Sequence, residues 1–319
     1  MKNKIKGMKR AVNKDKLFYA CIFIIPVINF LVLQFYVQYV DVVLFCFKRR
    51  DFDSATFQFS SEWVENFKLF YRNIFEDPRW HAAFGVTFKN FFLSWLITTP
   101  IALIVPYYIY KKFPGTTLFK FVLMLPQMIA SIVWTTIVLQ LTEVGFVQLF
   151  DMKMGLLANP DTQWGTLFVT GLWLGMGGTM LIFTGTYSSI SDSLIEAAKV
   201  DGVGLVGEFW HIALPKIFPI WSISIITSVA GLFSSGGGSV YEYFGPSAGN
   251  HVVTIGYLLF TSSLHGGSEA ITASCVTSVV FTVIFLPITL LLKKVVEHIG
   301  PTENERKPWF GGKKYGKSR

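Results

Sequence analysis

The one segment whose residue types and spacing match a phosphate-binding loop lies near the end of the chain. Gly311 is followed by four residues and then by Gly316–Ser318, as in loops whose backbone N–H groups and lysine surround a nucleotide phosphate. Such a loop needs a buried strand before it and a helix after it, because only then do the N–H groups converge on the anion. Here Pro308–Phe310 precedes the pattern, and the chain ends one residue after it. We therefore expect no nucleotide site on this segment.

Elsewhere, the residue types that carry chemistry in enzymes are scattered. No cluster of His, Asp or Ser within an apolar run suggests catalysis. The cysteines Cys21, Cys46 and Cys275 resemble neither a metal-ligand set nor a disulfide framework. The sequence therefore predicts no enzymatic activity, no metal and no cofactor on this chain.

The composition is typical of a membrane protein. Hydrophobic residues make up 52% of the 319 residues and charged residues only 15%, whereas about a quarter of a soluble globular protein is charged. The formal net charge is +8, but the basic residues cluster near the two ends, so we expect no nucleic-acid partner. Basic segments over 1–16 and 295–319, both expected in the cytoplasm, flank a transmembrane domain over 17–294.

Six apolar runs are long enough to cross a bilayer as helices, since a crossing takes about 20 residues. The fold class that they predict is all-α, a polytopic membrane protein with six transmembrane helices. The approximate limits are Phe18–Val40, Phe84–Tyr110, Leu118–Leu141, Thr166–Ser188, Ile217–Phe233 and Ile271–Leu292. The first run continues almost to Phe47 without a small-residue cleavage site, so we expect a span there rather than a cleaved signal peptide.

Basic residues in the connections predict the orientation, because Lys and Arg concentrate on the cytoplasmic side. Both ends are rich in these residues, and Lys111 and Lys120 flank the turn between the second and third runs, whereas the connection over 234–270 has none. We therefore place both termini in the cytoplasm, together with the 196–215 loop between the fourth and fifth spans. The basic triplet over 48–50 is discordant, since this topology puts it outside.

The 196–215 loop is too polar to cross a bilayer, yet its second half is too apolar to be left in water. A capping box over 193–196 starts a short helix, which Gly202 is expected to end. A second helical piece is predicted over 205–213, with Pro215 in the first turn of the next span. A loop of this character needs a protein surface to cover it.

The alternative for this loop is an interfacial helix on the membrane surface. Such helices usually carry Lys or Arg on the polar face. Here that face offers Glu208 and His211, which suit anionic headgroups poorly. The residue types therefore favour a partner protein.

The loop resembles the signature loop of the permease subunits of ABC importers. The family pattern is Glu-Ala-Ala-x3-Gly-x9-Ile-x-Leu-Pro, and the segment from Glu196 to Pro215 matches it without a gap. The resemblance implies two short helices that dock into a cleft of a separate ATP-hydrolysing subunit and transmit its closure to the spans. The residues assigned to this coupling contact are Glu196, Ala197, Ala198, Asp201, Gly202, Leu214 and Pro215.

Three further segments resemble the sugar-type branch of these permeases: Ile25-Pro26, Leu125-Pro126 followed by Trp134, and Gly155–Asn159. After the fifth span, many relatives carry an acidic or aromatic residue followed by Gly-Gly-Pro. This chain has a different sequence there, over 234–246. The resemblance implies import of a sugar or oligosaccharide, with a glycerol phosphate or a polyol as the alternative solute.

The same resemblance implies a set of partners. These are two ATP-binding subunits that hold ATP and Mg, a second permease subunit and an extracytoplasmic solute-binding protein. The sugar-type resemblance favours a second permease with a different sequence. The location that it implies is the bacterial cell membrane, with lipid around the spans.

Polar side chains within the apolar runs are candidates for the solute pathway, because hydrocarbon would leave them unpaired. The candidates are Asn90, Gln127, Ser224, Thr227 and Ser228. For the hydroxyl residues of the fifth run, the alternative is packing between helices through small residues.

Two other classes of protein are alternatives to a permease. A transporter driven by an ion gradient usually shows internal repeats or paired intramembrane acids, and Asp41 is the one acid beside an early span. A membrane-embedded enzyme or scaffold has no supporting residue cluster. Co-purification with an ATPase separates these classes, because only the permease requires one.

Overall fold

The structure is a computed structural model, and it describes residues 18–19, 21–50, 57–59, 63–234 and 236–299. The predicted basic segment over 1–16, the tail beyond residue 299 and the 311–318 pattern lie outside the described residues. The chain divides into two compact units. The first comprises Met1–Asn73 and Gly266–Val280, and the second comprises Ile74–His265 and Phe281–Arg319.

The first unit begins with helix α1, which covers residues 21–45 and is π-helical over Phe30–Val40. An antiparallel hairpin follows, in which β1 (Lys48–Arg50) pairs with β2 (Phe57–Phe59). Helix α2 (Trp63–Glu76) comes next. This short hairpin is the one sheet within the described ranges, so the all-α class is confirmed.

The remaining helices form most of the second unit. They are α3 (Pro78–Tyr110), α4 (Thr116–Met128), α5 (Ser131–Phe150), α6 (Pro160–Tyr187), α7 (Asp192–Val200), α8 (Leu205–Ala230), α9 (Gly237–Phe244), α10 (Ile255–His265) and α11 (Ser268–Ile299). Helix α11 starts in the first unit and ends in the second.

Five helices are long and apolar enough to cross a membrane: α3, α5, α6, α8 and α11. Helix α1 contributes a shorter apolar stretch, Cys21–Leu33. The polytopic membrane class is therefore confirmed. The count of six crossings and the side on which each terminus lies remain predictions.

Local sequence explains where two of these long helices begin. Asp77 is the N-cap of α3, and its Oδ1 accepts the Arg79 N–H at 2.8 Å, with Pro78 as the first helical residue. Asn159 caps α6 in the same way, accepting the Asp161 N–H at 3.1 Å. A side-chain oxygen at the N-cap followed by proline satisfies a free N–H and pre-sets the backbone.

The predicted third span, Leu118–Leu141, is wrong as a single helix. The chain breaks at Ile129 and Ala130, which are extended, so that α4 ends and α5 begins within the predicted run. Pro126 lies just before the break and has no N–H to donate to the Val122 carbonyl oxygen. The Trp173 indole N–H from α6 donates to that oxygen at 3.1 Å instead. The run that the sequence predicts as one helix is therefore interrupted, and a hydrogen bond from the neighbouring helix α6 satisfies the carbonyl that the proline leaves free.

The connection after the fifth span is more structured than sequence indicates. Helix α8 ends at Ala230, before the predicted limit at Phe233. Helices α9 and α10 follow and pack against each other. A Cβ at Gly237 would lie 2.5 Å from the Gly256 carbonyl oxygen, so only glycine permits this approach. The backbone N–H of Ile255 donates to Thr87 Oγ1 at 3.0 Å, which ties α10 to α3.

One buried apolar cluster joins α3, α6, α7 and α8 at the signature loop. Its most buried members include Tyr187, Ala213 and Ile217, each with 0% exposure. Ile195 of α7 and Leu214 of α8 belong to the same cluster. The loop is therefore packed onto the spans as part of their core.

Candidate functional site

The signature loop is a helical hairpin whose bend depends on Gly202. Helix α7 ends with the Val203 N–H donating to the Ala198 carbonyl at 2.9 Å and the Gly202 N–H donating to the Lys199 carbonyl at 3.1 Å. These two bonds form a Schellman motif, which places its C′ residue in the left-handed region. Gly202 has a φ of +77°, and no atom lies within 4 Å of the position that a Cβ would take there. The predicted helix end is therefore found at this glycine.

The helix start differs from the prediction. Ser191, rather than Ser193, is the N-cap of α7, and its side chain makes no capping hydrogen bond. The predicted capping box between Ser193 and Glu196 is therefore wrong. The reason is that the helix begins at Asp192, which puts an acidic residue in the first turn, where the helix dipole favours negative charge.

The second helical piece is found, and it continues without a break into the fifth span. Residues Phe209–Ala213 are π-helical, with the Leu214 N–H donating to the Phe209 carbonyl. Pro215 then lies in the first turn of the α-helical segment Leu214–Ala230, as predicted. The second half of the loop is thereby part of one continuous helix, α8.

The residues assigned to the coupling contact divide into two groups by exposure. Glu196, Ala197, Asp201 and Gly202 are exposed. Ala198 is 9% exposed and Leu214 is 3% exposed, because both face the spans, and Pro215 is half-buried. Only the first group is available to a partner, so the buried residues can act only by positioning the loop.

Large apolar side chains surround the exposed group. Val200 is 87% exposed and Val206 is 72% exposed, and Leu205 and Trp210 are exposed to about half of their surface. Such a concentration of exposed apolar residues marks an interaction site in a folded protein. The hairpin therefore presents an exposed apolar surface, and its cover by a partner protein stays a prediction.

A buried ion pair that sequence reasoning missed fixes the loop to α3. Glu208 is 3% exposed, and its Oε2 accepts from Lys111 Nζ at 2.7 Å. The Tyr107 hydroxyl donates to Glu208 Oε1 at 3.1 Å. Glu208 is therefore not part of an exposed polar face. The signal in the sequence was a lone carboxylate within an apolar segment, since such a group needs a buried cation.

Four of the five candidate pathway residues come together in the second unit. Asn90, Thr227 and Ser228 line a cavity of ≈ 350 Å³, and Ser224 and Ser228 line a smaller one of ≈ 170 Å³. The three hydroxyls also donate to carbonyls of their own helix, to Ile220, Ile223 and Ser224. They can therefore face a cavity without an unpaired donor.

Gln127 is not among these cavity residues. It lies against α6, where a Cβ at Gly177 would come within 2.6 Å of Gln127 Oε1 and a Cβ at Gly178 within 3.0 Å of Gln127 Nε2. The glycine pair of α6 makes room for this amide. Its observed role is packing between α4 and α6.

A third cavity of ≈ 380 Å³ also contains Asn90 and has an aromatic lining with one carboxylate. Trp164 donates its indole N–H to Asn90 Oδ1 at 2.7 Å. Glu242 accepts from the hydroxyl of Thr135 at 3.1 Å, and Trp134 lies beside it in the lining. Sequence reasoning missed the tryptophans and Glu242 as cavity residues, because their meeting with Asn90 around one cavity depends on the packing of α3, α5, α6 and α9.

The Gly155–Asn159 segment has a local structural role. Glu143 Oε1 accepts the N–H groups of Leu157 at 2.8 Å and Ala158 at 3.3 Å. A Cβ at Gly155 would overlap the same carboxylate. The glycine therefore leaves the space that lets Glu143 hold the segment, and Asn159 caps the helix that follows.

Most of the chain matches one protein-family model. Residues 91–303 match the model described as "Binding-protein-dependent transport system inner membrane component". This region is more than half of the chain, and it contains the signature loop and most of the lining of the three cavities.

Several proteins are similar in sequence. The probable ABC transporter permease protein YesP of Bacillus subtilis (strain 168) is 28% identical over 182 residues, which cover 54% of this chain and 58% of that protein. The arabinooligosaccharides transport system permease protein AraP of the same organism is 25% identical over 193 residues, covering 57% of this chain and 61% of that protein. The matched segments thus span less than two thirds of the length of these relatives.

A solved structure has the same fold. A bacterial ABC transporter involved in the import of the acidic polysaccharide alginate matches with a TM-score of 0.72 and 16% identity, covering 92% of this chain and 99% of that one. The match supports the helical architecture. Together with the family model, it shows that this chain belongs to the family of binding-protein-dependent transport system inner membrane components, which are multi-pass proteins of the cell membrane.

Proposed function

We propose that this chain is the permease subunit of an ABC importer that moves a sugar or oligosaccharide by alternating access. The observation that carries the proposal is the exposed helical hairpin, which matches the family signature and is continuous with a membrane span. Relatives are named for arabinooligosaccharides and for maltose and maltodextrin. A further relative is named for sn-glycerol-3-phosphate transport, and its match covers 70% of this chain.

In this proposal the exposed side of the hairpin docks on an ATP-hydrolysing subunit. Glu196, Ala197, Asp201 and Gly202 form the polar contact, and Val206 supplies apolar surface. Closure of the ATPase pair moves the hairpin, and the continuous helix α8 carries that motion to the cavities. Ala198, Leu214 and Pro215 hold the hairpin on the spans, and the Lys111–Glu208 pair does the same from α3.

The complete importer in this proposal contains further subunits. Two ATP-binding subunits hold ATP and Mg, and a second permease, different in sequence, completes the pathway. An extracytoplasmic binding protein delivers the solute. A related alginate transporter has been solved with a periplasmic protein that holds an alginate pentasaccharide, which supports this arrangement. Bond-breaking chemistry belongs to the ATP-binding subunits.

The lining of the cavities favours a neutral solute over an anionic one. Among the described lining residues of the three cavities, Glu242 is the charged side chain. A carboxylate there repels a phosphate or uronate, because water screens the charge less in a cavity than in solution. Trp134 and Trp164 supply aromatic surface to the lining, and Lys89 Nζ lies over the Trp164 ring, 3.5 Å from its centroid. Hydroxyls and amides offer hydrogen bonds. This chemistry suits a sugar or polyol better than a glycerol phosphate.

Substitution of Gly202 tests the coupling role. Gly202→Leu forces a branched residue into the left-handed region at a cost of about 1–2 kcal/mol, and it places bulk on the docking side. We expect the reconstituted importer to lose solute uptake and solute-stimulated ATP hydrolysis. The matched control is Gly204→Leu, because Gly204 has a φ of −73° and no atom within 4 Å of a Cβ position.

The control variant should keep most of both activities. A Gly202→Leu importer that assembles and retains full uptake and ATPase stimulation would show that the hairpin does not couple ATP hydrolysis to solute uptake.

A further inference from the structure

We propose that the β-hairpin and the first part of α2 form an interfacial anchor that lies among the phosphate headgroups of anionic lipids at the membrane surface. The residues of this anchor are Lys48, Phe59, Trp63, Val64, Lys68, Tyr71 and Arg72. The proposal concerns lipid binding rather than transport, and it gives a role to Lys48, which belongs to the basic triplet that is discordant with the predicted topology.

Hydrogen bonds hold α2 against the end of the first apolar helix. Asn66 is 1% exposed, and its Nδ2 donates to the Cys46 carbonyl at 2.9 Å and to the Lys48 carbonyl at 3.3 Å. Phe47 packs on Trp63 and Phe67, with ring centroids 5.6 and 6.4 Å apart. An apolar helix that crosses a bilayer must end at its surface. These contacts therefore keep α2 at the level of the headgroups.

The two sides of α2 differ in exposure. Trp63, Phe67 and Tyr71 are spaced by four residues and share one side of the helix. Asn66 and Asn73 lie on the other side, where they line a cavity of ≈ 820 Å³ together with the first turns of α11, and Arg72 lies at its edge. On the outward side, Val64 is 46% exposed and Tyr71 is 57% exposed.

The outward side combines interfacial aromatic residues with basic ones. Trp and Tyr are enriched at the headgroup level because their rings are apolar with a polar edge. Lys68 and Arg72 are exposed next to Tyr71, and Lys68 Nζ forms an exposed ion pair with Glu65 Oε1 at 2.6 Å. Lys48 Nζ lies 5.5 Å from the ring centroid of Phe59. Aromatic faces bordered by Lys and Arg match a surface whose outer layer is anionic phosphate and whose inner layer is hydrocarbon.

Spin-label accessibility tests the anchor in the full-length protein. A nitroxide is placed at Tyr71→Cys, or at Asn73→Cys as the matched control on the cavity side, after replacement of Cys21 and Cys275 by alanine. Cys46 is retained, because it is 1% exposed and is therefore shielded from the labelling reagent. The protein is reconstituted in vesicles of equal parts phosphatidylglycerol and phosphatidylethanolamine.

We expect the label at Tyr71 to collide more with oxygen than with an aqueous nickel complex, and the label at Asn73 to show the reverse. Adding Lys68→Gln and Arg72→Gln, or using phosphatidylcholine vesicles, should shift the Tyr71 ratio toward that of Asn73. The anchor proposal is overturned if the label at Tyr71 collides with the nickel complex as often as the label at Asn73 does, because Tyr71 then lies in free solvent. A Tyr71 label that collides with neither reagent also overturns it, because that result indicates a covering protein partner. So does an oxygen-to-nickel ratio at Tyr71 that stays the same both in the Lys68→Gln and Arg72→Gln variant and in phosphatidylcholine vesicles.

Discussion

At the scale of single residues, the clearest feature is a charge pair that holds the signature hairpin to α3. Glu208 comes from the hairpin and Lys111 from the end of α3, and their closest atoms are 2.5 Å apart. Both side chains are largely shielded, with exposures of 4% and 13%. A buried charge that loses its partner costs about 3–5 kcal/mol, whereas replacing both by apolar groups is often neutral. The pair therefore links hairpin position to the presence of both charges.

Substitutions of Lys111 and Glu208 should have non-additive effects on stability. Lys111→Met alone should lower the stability of the detergent-solubilised protein by about 3 kcal/mol, because Glu208 is left buried and unpaired. Glu208→Leu alone should cost a similar amount. The double variant should recover most of the loss, as measured by denaturant unfolding followed by fluorescence. Losses that simply add would show that the two side chains do not stabilise each other.

At the scale of elements, the break between α4 and α5 depends on a contact that is remote in sequence. Pro126 leaves the Val122 carbonyl without its helical donor, and Trp173 of α6 supplies the missing N–H. An unsatisfied carbonyl costs about 1–3 kcal/mol when shielded from water. The tryptophan therefore stabilises the interrupted helix as well as the packing of α6 on α4.

Substitution of this tryptophan should depend on the proline. Trp173→Phe removes the N–H and should destabilise the protein by about 1–3 kcal/mol. In a Pro126→Ala background the alanine N–H can serve Val122, so Trp173→Phe should cost measurably less. Thermal unfolding of the four proteins gives this difference directly. An equal cost in both backgrounds would mean that the hydrogen bond contributes nothing and only ring volume matters.

The same element shows what sequence could and could not predict. Long apolar runs predict helices because hydrocarbon requires internal backbone hydrogen bonds, and α3, α6, α8 and α11 follow that prediction. The break after Pro126 was missed because its compensation comes from Trp173, 47 residues away along the chain. The helices α9 and α10 were missed because they are short and are held by contacts such as Thr87 with Ile255.

The candidate site shows the same division. The spacing from Glu196 to Pro215 was sufficient to predict the hairpin and its turn at Gly202, because local hydrogen bonds determine both. Asn90 was found as a polar residue within a span. Sequence alone places Glu242 on an outer connection, since its approach to Thr135 requires α9 to pack on α5 first.

At the scale of the whole molecule, the proposed importer joins a solute pathway to a motor through one continuous helix. Helix α8 carries the hairpin at one end and Ser224, Thr227 and Ser228 along its length. In this proposal a displacement at the hairpin reaches the cavities along α8, because the helix is continuous from Leu205 to Ala230. The proposed pathway and docking surface then share one element.

The charge of the cavity should determine which solutes pass. Glu242→Gln keeps the hydrogen bond to Thr135 but removes the negative charge, so an importer with this change should discriminate less against anionic sugars. We expect uptake of an oligogalacturonate to rise several-fold relative to a neutral oligosaccharide of the same length, since one charge interaction is worth about 1 kcal/mol or more in such a site. Thr136→Val, an exposed hydroxyl outside the cavity lining, is the control. An unchanged preference in transport assays would remove Glu242 from the pathway.

Site-directed crosslinking tests whether the exposed side of the hairpin docks on the ATP-hydrolysing subunit. Cysteines at Ala197 and Val206 lie on the exposed side of the hairpin, whereas Ile223→Cys lies on α8 and is also exposed, at 62%. In membranes that contain the whole importer, the account predicts that the first two positions capture the ATP-hydrolysing subunit and that the position on α8 does not. Capture of only lipid or of this chain's own helices from Ala197 and Val206 would contradict the account.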